Sequence, residues 1–295
     1  MSWVYFSLIQ VFLSAGMAET NRRLKLDSIR LNFWRTLLLS AIFAVPAAYV
    51  PWPTADGFYA AALLTGIASA VASIVMFSMA ATFNGRVALL QVPVTTMMMF
   101  VAWLPFDKHL HSMMHTTPLR AAGIGGCLVA ACLCMVAMQR QSVGANVLRR
   151  LIPVGLIATA SGIAGKLALE ADEGMVDNII VISFLIMVIQ AFVSGLLMIR
   201  MRHNHNCKEE AYPLFPPHML KGTLVMAFWG GVSCYISWFA IGYAPNPAYP
   251  NAVFLLTPVL MLFYHKLWGI EDRASPLAGS LLALCIAALV LLSAS

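Results

Sequence analysis

Residues 243–295 read YAPNPAYPNAVFLLTPVLMLFYHKLWGIEDRASPLAGSLLALCIAALVLLSAS, and the reading of this stretch decides the fold. It holds two apolar runs, Pro250–Trp268 and Pro276–Ala294, separated by a polar break that includes Glu271, Asp272 and Arg273. Each run is long enough to cross the ~30 Å hydrocarbon core of a bilayer as a helix. The break lets the chain reach water and turn back, so the stretch predicts a membrane hairpin. Much the same hairpin is written roughly 160 residues earlier, from Phe83 to Met138. There Pro93 sits in the first arm as Pro258 does here, Asp107 and Lys108 occupy the turn, and Pro118 opens the second arm as Pro276 does. A chain that writes one hairpin twice is expected to hold two copies of one unit.

Composition agrees with a membrane setting. The chain is 61% apolar and 10% charged, against roughly 25% charged for soluble domains, and its mean hydropathy is +0.83. The opening WVYFSLIQVFLSAGMA follows no basic segment and precedes no A-x-A-like cleavage site, so residues 2–21 are expected to be a retained span. Five cysteines (Cys127, Cys132, Cys134, Cys234 and Cys285) fall inside apolar runs and Cys207 lies in a loop. That placement fits small core residues rather than a disulfide framework. In a soluble protein the net charge of +6 would suggest a nucleic-acid partner; in a membrane protein it reflects loop charges that set orientation. The expected partners are therefore the lipid bilayer and a small-molecule substrate, with no nucleic acid, for a chain acting as monomer or homodimer.

Ten apolar segments can be counted: 2–21, 33–51, 58–83, 86–105, 119–139, 151–170, 178–199, 221–243, 250–268 and 276–294. Runs this long choose helices in lipid, because each helix satisfies its own backbone; barrel strands would be half as long and alternate in polarity. The expected fold is an all-α polytopic membrane protein of ten transmembrane helices. It divides into an N-terminal five-helix repeat (1–139), a linker (140–150, mostly QRQSVGANVLRR) and a C-terminal five-helix repeat (151–295). Laid over each other, AGMAETNRRLKLDS of the first span meets ASGIAGKLALEADE of the sixth, and FSMAATF of the third meets WFAIGYA of the eighth. An odd number of spans per copy makes the repeats inverted, a plan shared by many secondary transporters. Fifteen of the eighteen basic residues fall on the side reached after the odd spans, the exceptions being Lys108, Arg120 and Lys166. Basic residues stay on the cytoplasmic side, so both termini are expected outside the cytoplasm of a cell (inner) membrane.

The segments LNFWRTLLLSA (31–41), GIASAVASIVMFSMAATF (66–83) with ALLQVPVTTMMM (88–99), and VFLLTPVLMLFYHKLWGIEDRASPLAGSLLALCIAALVLL (253–292) carry a resemblance. In their order and punctuation they resemble the drug/metabolite transporter superfamily, in its ten-helix, EamA-type branch. The resemblance covers nearly the whole chain but rests on soft hydrophobic patterns. It implies carriage of small metabolites, mostly outward, through a cavity between the halves, enclosed by helices 1, 3, 4, 6, 8 and 9 with 5 and 10 as scaffold. Three features depart from that pattern. The basic residues place the termini outside where family members commonly keep them inside, and the turns DKHLHSMMHTTP and APNPAYPNA are enlarged.

Ionisable residues within spans are costly and mark cavities or partners. Lys166, the deepest charge, either meets an anionic group or relays a proton, or else snorkels along its own helix. Glu19 either faces the cavity as a proton or cation site, or pairs with Arg22 and Arg23 on its own helical face. By rise per residue the two lie at opposite depths, so each is expected to serve one gate. Arg35, in the first turn of span 2, matches an arginine common in the family pattern or acts as a snorkelling anchor. Gln10 and Ser14 share a face of span 1, Gln91 and Thr95 flank Pro93, and Trp229, Ser233 and Ser237 recur at four-residue intervals. With Tyr235, Trp238 and Thr257 they make a set of rings and hydrogen-bonding groups that suits an amphipathic organic substrate, while each alone could serve helix packing. Pro93 and Pro258 are expected to bend their helices. The groups His109, His111, His115 and His203, His205, Cys207 have metal-ligand chemistry, but no metal site and no cofactor are expected. No G-x-x-x-x-G-K-[ST], G-x-S-x-G or H-E-x-x-H occurs. The expected function is secondary transport of a small amphipathic metabolite by alternating access, with proton coupling left open. The alternatives are a membrane-embedded enzyme or lipid-handling protein, or a non-transporting subunit.

Overall fold

The computed structural model of the chain describes residues 2–82, 89–139, 145–171, 173–204, 219–269 and 274–294. Within them the regular structure is helical, with no strand. In chain order the helices are α1 (Ser2–Leu24), α2 (Ser28–Ala47), α3 (Asp56–Thr82), α4 (Gln91–Trp103), α5 (Lys108–Thr116), α6 (Pro118–Gln139), α7 (Ala145–Leu169), α8 (Met175–Asn204), α9 (Met219–Tyr243), α10 (Ala248–Phe254), α11 (Thr257–Leu267) and α12 (Pro276–Ala294). Seven of these, α2, α3, α6, α7, α8, α9 and α12, are long and apolar enough to cross a membrane. Their outward faces carry exposed Phe192, Leu196, Leu284 and Leu291. Such a surface would aggregate in water but is solvated by lipid. The chain is thus an all-helical protein of polytopic membrane type.

The other three expected spans are not plain crossing helices. α1 is 23 residues long, but its last turns carry Glu19, Asn21, Arg22 and Arg23, which dilute its apolar character. In the fourth, α4 begins at Gln91 after a turn at Leu89–Leu90, and a single 3₁₀ turn, Leu104–Phe106, extends it, while residues 86–88 lie outside the described residues. The ninth is broken. α10 ends in tight i to i+3 turns, where the Leu255 and Leu256 N–H groups donate to the Ala252 and Val253 carbonyls at 3.1 and 2.9 Å. α11 then starts at Thr257 with Pro258 in its first turn. Proline has no N–H to give, and the opening of a helix is where that loss is tolerated. The bend expected at Pro258 is therefore a full interruption. Pro93 likewise sits in the first turn of α4, after a turn at Leu89–Leu90, and not in mid-helix. Of the expected linker, residues 140–144 lie outside the described residues, while 145–150 already belong to α7.

Packing brings distant parts of the chain together. α1 lies along α9, α2 along α8, α3 along α7 and α6 along α12, while α4 meets α7 and α10. Leu128 and Met135 of α6 and Leu282 and Leu289 of α12 are fully buried in one core; Phe58, Ile179 and Ile182 with Leu39 and Phe43 form another. Some helix pairs approach until only hydrogen fits between them. A Cβ added at Gly165 of α7 would come within 2.3 Å of the Trp238 ring of α9, and one at Gly66 within 2.7 Å of Ile189 Cβ.

Candidate functional site

Gln10, Ser14, Met17, Ala18 and Asn21 recur at three- and four-residue intervals, so they share one face of α1 over about 16 Å of helix. That face borders a cavity of about 200 Å³. Met76, Phe77 and Ala80 at the end of α3 form a second wall, and Leu89, Gln91 and Val92 at the start of α4 form a third. Phe254 and Thr257, on either side of the break between α10 and α11, close the fourth. The cavity thus gathers at both places where a turn interrupts an expected span.

Its polar groups are held in one sense. Gln10 donates from Nε2 to the Ser14 and Ser233 hydroxyls at 3.2 and 2.6 Å, and Asn21 donates from Nδ2 to the Phe77 carbonyl at 3.0 Å. Gln91 Nε2 makes a weak contact with the Met76 sulfur at 3.8 Å. Gln10 Oε1, Asn21 Oδ1, Gln91 Oε1 and Thr257 Oγ1 are buried with no hydrogen-bond partner. Buried polar atoms are paired in the great majority of cases, so four bare ones around one space form the most distinctive feature of the chain. Among the described residues the lining contains no charged side chain.

Clusters of side chains flank this region at both ends. Towards the C-terminal end of α1, Glu19 accepts from Arg22 at 2.6 and 2.7 Å and from Arg23 at 2.7 Å, and its Oε2 lies 3.4 Å from His265 Nε2 of α11. The Arg23 guanidinium stacks 4.8 Å over the Trp268 ring. At the opposite end Phe6 stacks on Phe239 and Tyr243, with centroids 5.2 and 5.9 Å apart, and Trp3 lies 6.0 Å from Tyr249. Beyond these rings Asn246 donates to Asp107 Oδ2 and accepts from the Ala248 N–H, both at 2.9 Å. Asp107 Oδ1 also caps α5 at the Leu110 N–H, 2.9 Å away.

The structure brings Gln10, Ser14, Gln91 and Thr257 to the cavity wall, with Ser233 behind Gln10. Glu19 stands one turn away, engaged with its arginines. Thr95 spends its hydroxyl on the Gln91 and Gly155 carbonyls, which ties α4 to α7. Trp229 packs on Gly16, Ser237 donates to the Ser233 carbonyl, and Trp238 fills the space left by Gly165. Tyr235 meets Phe43 at a centroid distance of 4.6 Å, outside the cavity. Lys166 is buried and is not among the residues of this wall. Its ammonium donates to the Gly242 and Ala244 carbonyls at 3.0 and 2.9 Å and pairs with Glu170 Oε1 at 3.0 Å, which uses all three of its protons. It does not snorkel along its own helix; it caps the C-terminus of α9. Arg35, expected in the first turn of its span, lies deeper because α2 begins at Ser28. It is buried, with Nη2 donating to Asn32 Oδ1 at 2.9 Å, its guanidinium 4.9 Å from the Phe77 ring centroid, and Nε without a partner. An outward-reaching anchor is excluded by that burial.

The sequence reading missed Asn21, Met17, Met76, Phe77 and Phe254. Asn21 was within reach of it, since carrying the Gln10–Ser14 face on by two turns lands there. A larger groove of about 520 Å³ lies on the outside of the α11–α12 hairpin, but its walls, such as Val259, Phe263 and Ala283, are mostly apolar. Among the described residues no three His, Cys, Asp or Glu side chains converge as metal ligands; His205 and Cys207 lie outside the described residues. Compared with known proteins, the chain matches no family model and no curated protein sequence.

Proposed function

We propose that the chain is a secondary transporter that carries a small solute through the α1–α3–α4 cavity by alternating access, its helices forming two inverted five-helix repeats. The observation that carries this reading is the pairing of interruptions. A turn at Leu89–Leu90 precedes α4 in the fourth span and a turn at Leu255–Leu256 breaks the ninth, they hold corresponding places in the two halves, and both border the cavity. Interrupted segments at matching positions of two halves are the best pointer to a transporter's binding site.

The packing order supports the repeat. Exchanging the halves turns the α1–α9 contact into α7–α3, and turns α4–α7 into the contact of the broken span with α1; all four occur. The α2–α8, α4–α10 and α6–α12 contacts map onto themselves. This order agrees with the resemblance to EamA-type transporters, and the basic residues favour termini outside the cytoplasm. In that orientation the Glu19 cluster forms the inner closure and the Asp107–Asn246 cluster the outer one. Of the alternatives, an enzyme would need convergent acid–base or metal groups, and a non-transporting subunit would have no use for four bare polar atoms.

The test is a reversible lock on the outer closure. Trp103 Nε1 donates to the Pro245 carbonyl at 3.2 Å, so Trp103→Cys with Pro245→Cys would set two thiols across this contact, within reach of a bifunctional thiol reagent that carries a cleavable disulfide. Solute flux from proteoliposomes is expected to stop on cross-linking and return on reduction. Flux unchanged by a verified cross-link would show that the solute does not pass this end, and alternating access as drawn here would fail.

A further inference from the structure

Four unpartnered polar atoms, a described lining without charged side chains and an apolar remainder of the wall together define what the cavity can hold. Gln10, Asn21 and Gln91 line the space; each sets an amide N–H against a protein acceptor, weakly in Gln91, and leaves a buried oxygen beside the space without a partner. The Asn21 orientation is the most firmly fixed, since its partner is a backbone carbonyl, which can only accept. Thr257 Oγ1 adds a hydroxyl that can accept as well. All four residues are less than one-tenth exposed. A solute that enters must supply donors, because leaving such acceptors bare in a water-excluded site opposes binding.

Charge narrows the class further. An anion would meet unpartnered carbonyl oxygens and no cationic side chain among the described lining residues. A cation would find oxygens but no carboxylate among the described wall residues, and the Arg35 guanidinium lies 4.9 Å from the ring of Phe77, which forms part of that wall. The remaining wall, Met17, Met76, Phe77, Leu89 and Phe254, is apolar and polarizable and suits a flat or alkyl body. At about 200 Å³ the space is smaller than drug-sized sites, which begin near 300 Å³.

We infer that the cavity selects a small uncharged solute that presents N–H or O–H donors on an apolar body, such as a primary carboxamide or a nucleobase-like amide. The inference names the solute class of the transporter proposed above and rests on that reading for its physiological meaning, but the binding chemistry stands on the cavity alone.

The experiment is calorimetric titration of the purified full chain with four molecules that share one ring: benzamide, N,N-dimethylbenzamide, benzoate and benzylammonium. Benzamide is expected to bind in the millimolar range or tighter. Removing its donors by dimethylation, or replacing its amide by either ion, should weaken binding at least about tenfold, or about 1.4 kcal/mol. Gln91→Leu and Thr257→Val should each weaken benzamide several-fold and leave the dimethylated compound unchanged; two variants guard against one that fails to fold. Equal binding of the dimethylated compound, preference for either ion, or no binding of any of the four at millimolar concentration would overturn the inference. Flux through proteoliposomes separates the two readings. Selective benzamide binding without movement of any solute refutes the transporter and leaves the site chemistry standing, whereas flux of an ion with no benzamide binding does the reverse.

Discussion

Asn21 and Asn246 are both fully buried asparagines, yet their surroundings use them in opposite ways. Asn246 gives its N–H to Asp107 and takes the Ala248 N–H on its oxygen, so both ends of the amide are matched within the protein. Asn21 gives its N–H to the Phe77 carbonyl and leaves its buried oxygen beside the cavity without a partner. The Tyr249 hydroxyl near the first cluster also lacks a partner, but at the Asp107–Asn246 junction itself the polar atoms are spent on one another. A matched buried amide fixes a junction between segments. An unmatched one stores a binding preference, at a cost of about 1–3 kcal/mol of desolvation that a ligand can recover. The difference predicts how stability responds along the molecule.

The largest loss is expected where matching is complete. Asp107→Ala removes the cap of α5, worth about 1 kcal/mol, and strands the buried Asn246 amide, which costs about 1–3 kcal/mol more. Thermal unfolding in detergent should show about 3 kcal/mol of destabilisation, and a loss below about 1 kcal/mol would mean that Asn246 finds another partner. Next comes steric matching. Gly165→Ala drives a methyl into the Trp238 ring and should cost about 2 kcal/mol. Gly125→Ala, which meets nothing within 4 Å, should be neutral or slightly stabilising, because alanine favours helix over glycine by up to about 1 kcal/mol.

Lys166→Met tests the same principle on a charge. Removing the ammonium leaves the Gly242 and Ala244 carbonyls to be capped by nothing else in the described residues. A loss of about 1–2 kcal/mol is expected in unfolding, with solute affinity unchanged in titration. A change in affinity with normal stability would return Lys166 to the binding site and reverse its assignment as a helix cap.

Lys166 also shows what a sequence can and cannot disclose. The helical fold was legible because hydrocarbon demands long apolar runs, and such runs are visible residue by residue. The cavity was half legible. Gln10, Ser14, Gln91 and Thr257 stood out as polar residues within apolar runs, and all four reach the wall. Lys166 stood out for the same reason, but the carbonyls that hold it come from 76 and 78 residues further along the chain. Arg35 was hidden because two residues of local context, Asp27 capping α2 at the Arg30 N–H and the start at Ser28, place it deeper than its apolar run suggests. The break at Leu255–Leu256 escaped because proline inside an apolar run reads equally as a bend or as a new start. Whether a buried polar atom is matched depends on atoms from several helices, and no spacing within one helix encodes it.

The smallest effect on stability should therefore come from the cavity wall, where the largest effect on binding is expected. Thr257→Val keeps the shape of the side chain and removes a buried hydroxyl that bonds to nothing. Replacing an unmatched polar group by an apolar one of equal size is neutral or stabilising, so unfolding should shift by no more than about 0.5 kcal/mol, and in the stabilising direction. Measured beside Asp107→Ala in the same detergent, the pair sets a satisfied buried polar residue against an unsatisfied one. If Thr257→Val instead destabilises as much as Lys166→Met, the hydroxyl is already matched within the fold. The cavity would then lose one of its four bare atoms, and the contrast drawn between Asn21 and Asn246 would rest on amides alone.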